Sequence, residues 1–301
     1  MKKILLSLLL LAGMATGASA QLLYKISDNG LEKPSYIIGT HHLANKSFVE
    51  KIAGVKDALT VTDQVYGELN FDDVAKTDSV KALQQAMYLS DGQTLKSVLT
   101  AEQYKKLDNF LKNFMGVGLS HPMVDAQYGK MSPAALTAQF QVLIFLQHHM
   151  GDFDPSSTFD QYFHAQAKKN NEPVGGLETI SFQAGLLYGQ PLKRQIEQLM
   201  CLLDHVDTVS DQMDELTNAY YAQDIVRMKK AMDEKMNNAC DATEEETAAL
   251  IDNRNADWAQ KMPAIMADKP TFFVVGAGHL AGDKGVLQLL KNAGYTVEAV
   301  Q

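Results

Sequence analysis

Five short runs with strand character punctuate the chain, at 35–38 (SYII), 63–68 (DQVYGE), 172–176 (EPVGG), 271–275 (TFFVV) and 295–300 (YTVEAV). They are β-branched or aromatic in character and bounded by Gly, Pro or Asp, the punctuation of strand ends. Between them apolar positions recur near every 3.6 residues. That period predicts helices over 47–59, 94–114, 133–149, 158–170, 192–206, 210–222, 224–237, 243–262 and 284–293. Local signals support several of these. Thr100-Ala-Glu-Gln103 reads as a capping box that opens a new helix, Pro133 after Ser132 suits a first helical position, and TEEET from Thr243 puts acids at a helix N-terminus. Strand-forming sequence therefore lies toward both ends and helices fill the middle. The expectation is an α/β domain whose sheet draws on N- and C-terminal segments, with a large, mostly helical insertion over roughly 71–260. No Pro-, Gly- or Ser-rich linker divides residues 21–301 into independent domains.

The chain opens MKKILLSLLLLAGMATGASAQ. Two lysines, an apolar run of about ten residues and the small-x-small triplet Ala18-Ser19-Ala20 have the form of a secretory signal peptide over 1–20, cut after Ala20. The apolar run is shorter than the ~20 residues that span a bilayer, and no later stretch reaches that length. The expected product is periplasmic or secreted, without an integral membrane segment in the mature chain. The 301 residues carry a net charge of −9, and losing Lys2 and Lys3 makes the mature chain more acidic still. An acidic chain without a basic stripe argues against nucleic acid and anionic lipid as partners. Export also permits a disulfide between the two cysteines, Cys201 and Cys240. Two buried free thiols are the alternative.

The sequence contains one internal repeat. YIIGTHHLA at 36–44 and FFVVGAGHLAG at 272–282 both read apolar–apolar–Gly–x–x–His–Leu–Ala, with histidines at His42 and His279. Each follows a predicted strand. Glu68 ends the second strand and Glu178 follows the third. Ligands of open α/β sheets bind at the carboxyl ends of strands, so two imidazoles and two carboxylates are placed where chemistry is expected. Gly39, Gly276 and Gly278 allow tight turns and close approach of backbone to a ligand. Neutral imidazole with carboxylate suits Mn, Fe, Co or Zn, and two histidines with one carboxylate leave positions open for water and substrate. Each residue also has a plain structural explanation: a cap for either histidine, a helix-starting acid for Glu178, a solvated face or ion pair for Arg254 in DNRNADW. His41 is expected to turn its ring away from the site, and His121, His148, His149, His164 and His205 are expected to be structural. The chain has no His-Glu-x-x-His, P-loop, Gly-x-Ser-x-Gly or Cys-x-x-Cys motif.

YIIGTHHLA, GELN, GGLETISFQ, DNRNADW and FFVVGAGHLAGDKGVLQLLKNAGYTVEAV, taken in order, resemble the TraB/PrgY/GumN family, whose relatives include the Tiki proteases and the erythromycin esterase and ChaN-like group. The resemblance spans essentially the whole mature chain. It implies an α/β fold with a mixed central sheet and, by analogy with Tiki, a metallopeptidase using Mn- or Co-type ions on a peptide or protein substrate. His42, His279 and Glu68 would hold the ion, Glu178 or Glu68 would act as general base, and Arg254 would stabilise an oxyanion. A metal-free hydrolase with a histidine base, a haem- or iron-binding protein and a regulatory partner are the other readings.

Overall fold

Phe272, Phe273, Val274 and Val275 are all buried, as a strand covered on both faces requires. The computed structural model describes residues 21–151, 154 and 158–301, and the expected signal peptide lies outside them. Among the described residues six strands form one sheet: β1 (Leu23–Ser27), β2 (Ser35–Thr40), β3 (Gln64–Gly67), β4 (Val174–Gly176), β5 (Thr271–Gly276) and β6 (Thr296–Ala299), in the order β4-β3-β5-β2-β1-β6. β4, β3, β5 and β2 run parallel, whereas β1 is antiparallel to both β2 and β6. The sheet is therefore mixed. It draws on both ends of the chain and takes one strand, β4, from within the helical insertion.

The five expected strands form close to the bounds read from sequence. β1 is the addition. Its LYKIS alternates weakly in sequence, yet Leu23, Tyr24 and Ile26 are buried because β2 and β6 flank it. Pairing with β2 across a short loop and with β6 from the other end of the chain made this strand, not its own pattern. The expected helix over 47–59 is instead a 3-10 turn, Lys46–Lys51, and a helix, Val55–Val61. Gly54 separates them at φ 75°, where a Cβ would also stand 2.4 Å from Val300 Cγ1. The expected helix over 243–262 is a short turn, Glu244–Thr247, a π-helical segment, Ala248–Asp252, and the helix Asn253–Asp268.

Among the described residues two cores hold the molecule together. One lies around the sheet and includes Ile37, Phe163, Tyr220, Trp258, Phe272 and Leu290. The other belongs to the insertion and is built from Leu107, Leu111, Leu136, Phe140, Ile144 and Leu199. Among the described residues no helix is long and apolar enough to cross a membrane.

Cys201 and Cys240 are bridged, with Cα atoms 5.4 Å apart. The bond ties the segment after the helix Ile225–Asp233 to the helix Leu192–Asp204. Constraining the unfolded chain in this way contributes about 2–4 kcal/mol. The Cys201→Ser/Cys240→Ser protein is expected to lose about that much in urea denaturation, and unchanged stability would contradict the estimate.

Candidate functional site

The four parallel strands end at one edge of the sheet. Just beyond those ends stand His42, Glu68, Glu178 and His279. The Glu178 backbone N–H donates to Glu68 O at 3.0 Å, which carries the β3–β4 ladder one step further and aligns the two glutamates. Gly39 and Gly276 are not in the left-handed region. Close approach is what requires glycine here. A Cβ on Gly39 would lie 2.9 Å from Ala277 Cα, and one on Gly276 would lie 3.2 Å from Glu68 Oε1.

Arg254, in the first turn of the helix Asn253–Asp268, is the hub. Its Nε donates to both Glu178 oxygens at 3.1 Å, and its Nη2 donates to Glu178 Oε1 at 2.6 Å and Glu68 Oε2 at 2.7 Å. Nη1 donates to Leu250 O at 3.0 Å and to His279 Nε2 at 3.0 Å. All five guanidinium donors are thus committed. Trp258, one turn along the same helix, lies under the guanidinium at 4.8 Å and donates to Glu178 Oε2 at 3.2 Å. Gln183 Nε2 bridges Glu68 Oε2 at 2.9 Å and Glu178 Oε1 at 2.7 Å. Burial pushes the Glu68 carboxyl up, but Arg254, His42 and the Gly276 N–H at 2.8 Å outweigh it and hold it below the ordinary value.

The histidines of the repeat are anchored alike. His279 Nδ1 donates to Asn255 Oδ1 at 2.7 Å, and Asn255 is oriented by its own bond to Lys284 O at 2.9 Å. Nε2 is then the lone-pair nitrogen, 3.9 Å from Glu68 Oε1. His42 Nδ1 is paired with Asp160 Oδ2 at 3.2 Å, while Thr40 Oγ1 donates to Asp160 Oδ1 at 3.1 Å. That leaves His42 Nε2 as the available atom. The hydrogen bond to Asp160 raises the His42 pKa, but the side chain is 70% exposed and solvent screens the pair. His42, Glu68, Asp160, His164 and Gln183 line a cavity of about 360 Å³. Arg254, Glu178 and His279 stand behind its wall.

His41 turns to the helical layer, with Nε2 3.2 Å from Thr217 Oγ1 and its ring against Tyr220. Burial holds both His41 and His279 neutral, at about 4. An unfolded imidazole titrates near 6.5, so on acidification the unfolded chain takes up these protons first. Stability present above about pH 6.5 is lost as the pH falls toward 4. Urea denaturation is expected to show a fall of up to about 1.4 kcal/mol per pH unit for each group. His41→Phe should flatten that slope, and a slope identical to wild type would contradict the assignment.

Four contributors escaped the sequence reading. Asp160, in the first turn of the helix Phe159–Asn170, was not singled out, and Gln183 entered only as the last residue of GGLETISFQ. Asn255 directly follows Arg254, and Trp258, the single tryptophan of the chain, sits at the i+4 position that shares a helix face with it.

Does this donor set fit a divalent ion? Two imidazoles and a carboxylate have the right chemistry. A carboxylate or amide oxygen fixes Nδ1 of each histidine, as in metal sites whose ligands are oriented from behind. Glu68 and Glu178 together also exceed the single charge of Arg254, leaving room for a further cation. In the arrangement described, however, Arg254 Nη1 occupies the His279 lone pair. Among the described residues, the one group of three potential ligands within 4.8 Å of one another is Cys201, His205 and Cys240, and its sulfurs are bridged. The His42, Glu68 and His279 set thus suits an ion in donor chemistry and charge, while its ligand atoms are not gathered within 4.8 Å of one another among the described residues.

The TraB/PrgY/gumN family model matches residues 22–299. Similar proteins include a metalloprotease TIKI homolog of Nematostella vectensis, 22% identical over 89% of this chain and 65% of its own length. Metalloprotease TIKI1 of Danio rerio is 24% identical over 89% of this chain and 61% of its own, and TIKI1 of Homo sapiens is 24% identical over 89% and 60%. The chain thus spans about three fifths of the length of these relatives. No solved structure matches it.

Proposed function

Because the chain belongs to the TraB/PrgY/gumN family, we propose that it is an exported, metal-dependent hydrolase of the peptidase kind, periplasmic or secreted, acting on a peptide or protein. The observation that carries this reading is the matched anchoring of His42 and His279: each has Nδ1 held from behind, by Asp160 or Asn255. His42, His279 and Glu68 would hold the ion, a Mn- or Co-type metal by analogy with the relatives, with Zn or Fe also compatible with N/O ligands. Such an ion supplies a Lewis acid and a bound water that ionises near neutral pH.

The chain's own residues divide the remaining work. Glu68 faces the cavity and is the better-placed proton acceptor. Glu178 is sealed behind Arg254, Gln183 and Trp258, so of the two glutamates expected as the base, Glu68 is the one assigned here. Arg254 has no donor left for an oxyanion. Its role is to position Glu68 and Glu178 and to balance their charge. Asp160 orients His42. A haem- or iron-binding role is less favoured, because His279 is only 5% exposed and the Arg254 network would serve no purpose in it.

The test is cleavage of a quenched-fluorescent peptide library by protein stripped with EDTA and reloaded with Mn or Co. Cleavage that vanishes on stripping and returns with metal is expected. Cleavage that persists in EDTA would favour the metal-free histidine hydrolase, and no cleavage under any condition would count against the hydrolase.

A further inference from the structure

A second, larger space adjoins the candidate site. It has a volume of about 1030 Å³ and lies between helices of the insertion and the segment leading into Arg254. Leu187, Met213, Leu216, Met232 and Leu250 give it an apolar lining. Leu187 is 51% exposed and Met232 is 40% exposed, so apolar surface faces open solvent on both sides. The charged residues along it are one-sided. Asp233, Glu234, Asp241, Glu244, Glu245 and Asp252 line it against Lys235 and Lys284. Lys284 is bound to Asp252 at 2.6 Å, and Lys235 donates to Ala242 O at 3.0 Å. Glu234, Glu244 and Glu245 are exposed, which leaves the edge of the cleft negative.

The cleft is tied to the site by shared walls. The helix Ile180–Tyr188 gives Gln183 to the cavity containing Glu68 and gives Leu186 and Leu187 to the cleft. The helix Pro133–His148 gives Val142 to one and Gln141 to the other. Leu250 lines the cleft while its carbonyl accepts from Arg254. Met232 lines it too, and presses on Gly278 next to His279, where a Cβ would stand 2.6 Å from its methyl. The outer wall is fixed in advance. Cys240 is bridged to Cys201, and Arg194 donates to Ala239 O and Asp241 O, each at 2.8 Å. A wall ordered before binding lowers the entropic cost of association.

We propose that this cleft docks the non-reacting part of an extended polypeptide substrate carrying apolar and basic side chains. The proposal rests on the peptidase reading above, which makes the occupant a polypeptide. The volume is at the upper end of small-molecule sites and accepts several residues of chain. A ligand in the cleft must also be long to reach Glu68, and the apolar lining with its acidic edge selects aliphatic and cationic side chains together. Binding energy gained away from the reacting bond can then be used to orient the segment at the cavity.

The test is fluorescence anisotropy with short dye-labelled peptides of equal length, one of Leu and Lys, one of Leu and Glu, one of Ser and Lys, titrated with the mature protein in EDTA. The Leu/Lys peptide is expected to bind about tenfold tighter than either other. Leu187→Asp/Met232→Asp should weaken it about tenfold, and Glu234→Lys/Glu244→Lys/Glu245→Lys should do the same and abolish the preference over Leu/Glu. All five positions are exposed, and thermal melting checks that both variants fold. Equal binding of the three peptides, or a preference that survives in both variants, overturns the proposal. Binding is read without metal, so the two readings separate. A protein that discriminates the peptides but never cleaves refutes the hydrolase and keeps the cleft; one that cleaves without discriminating refutes the cleft alone.

Discussion

Replacing Arg254 with methionine is expected to cost about 3–5 kcal/mol of folding stability. The side chains of Arg254, Glu68 and Glu178 are 10%, 11% and 3% exposed, so deleting the guanidinium leaves two carboxylates facing each other out of water. Gln183, which touches both, is neutral and supplies one bridging nitrogen. One glutamate would then have to take up a proton, because like charges this close raise the pKa of one partner. The loss should accordingly shrink as the pH is lowered. A companion protein, Arg254→Met/Glu178→Gln, carries one charge fewer and should recover part of the stability. Urea denaturation at neutral pH decides it: a loss below about 1 kcal/mol, within the range of an exposed ion pair, would show that the cluster is solvated and not a buried hub.

His42→Ala is expected to behave in the opposite manner. Its side chain is 70% exposed, so stability should change by less than about 0.5 kcal/mol. Hydrolysis should nevertheless fall by about a thousandfold or more in kcat/KM, the scale of losing a group that acts on the reacting atoms. Asp160→Asn, which keeps the shape but weakens the hold on Nδ1, should fall between, at about 10–100-fold. A His42→Ala protein with near wild-type turnover would remove His42 from the site.

Much of this arrangement was legible because parallel strands bring their ends to one edge whatever their separation along the chain. The paired Gly-x-x-His motifs, Glu68 and Glu178 all follow β-branched or aromatic runs, and that pattern alone placed them near one another. Arg254 was picked out through DNRNADW and the resemblance that segment carries, as a carboxylate clamp or oxyanion donor, but without its partners. What could not be read depends on tertiary reach. Asp160 meets His42 across 118 positions, and Gln183 meets Glu68 across 115; neither spacing leaves a trace in sequence. β1 was missed in part for the same reason, since one of its two partners, β6, comes from the far end of the chain. The commitment of every Arg254 donor was equally invisible, and it changes that residue from a candidate oxyanion donor into a positioning group.

The central claim is that two strand ends, far apart in sequence, present His42 and His279 to one ion. Metal content and affinity of the mature, untagged protein test it most directly, for wild type, His42→Ala and His279→Gln, each checked for fold by circular dichroism. The account predicts about one divalent ion per wild-type chain, lost by each variant while the fold is kept. A wild type that binds no Mn, Co, Zn or Fe, or folded variants that keep the ion, would contradict it.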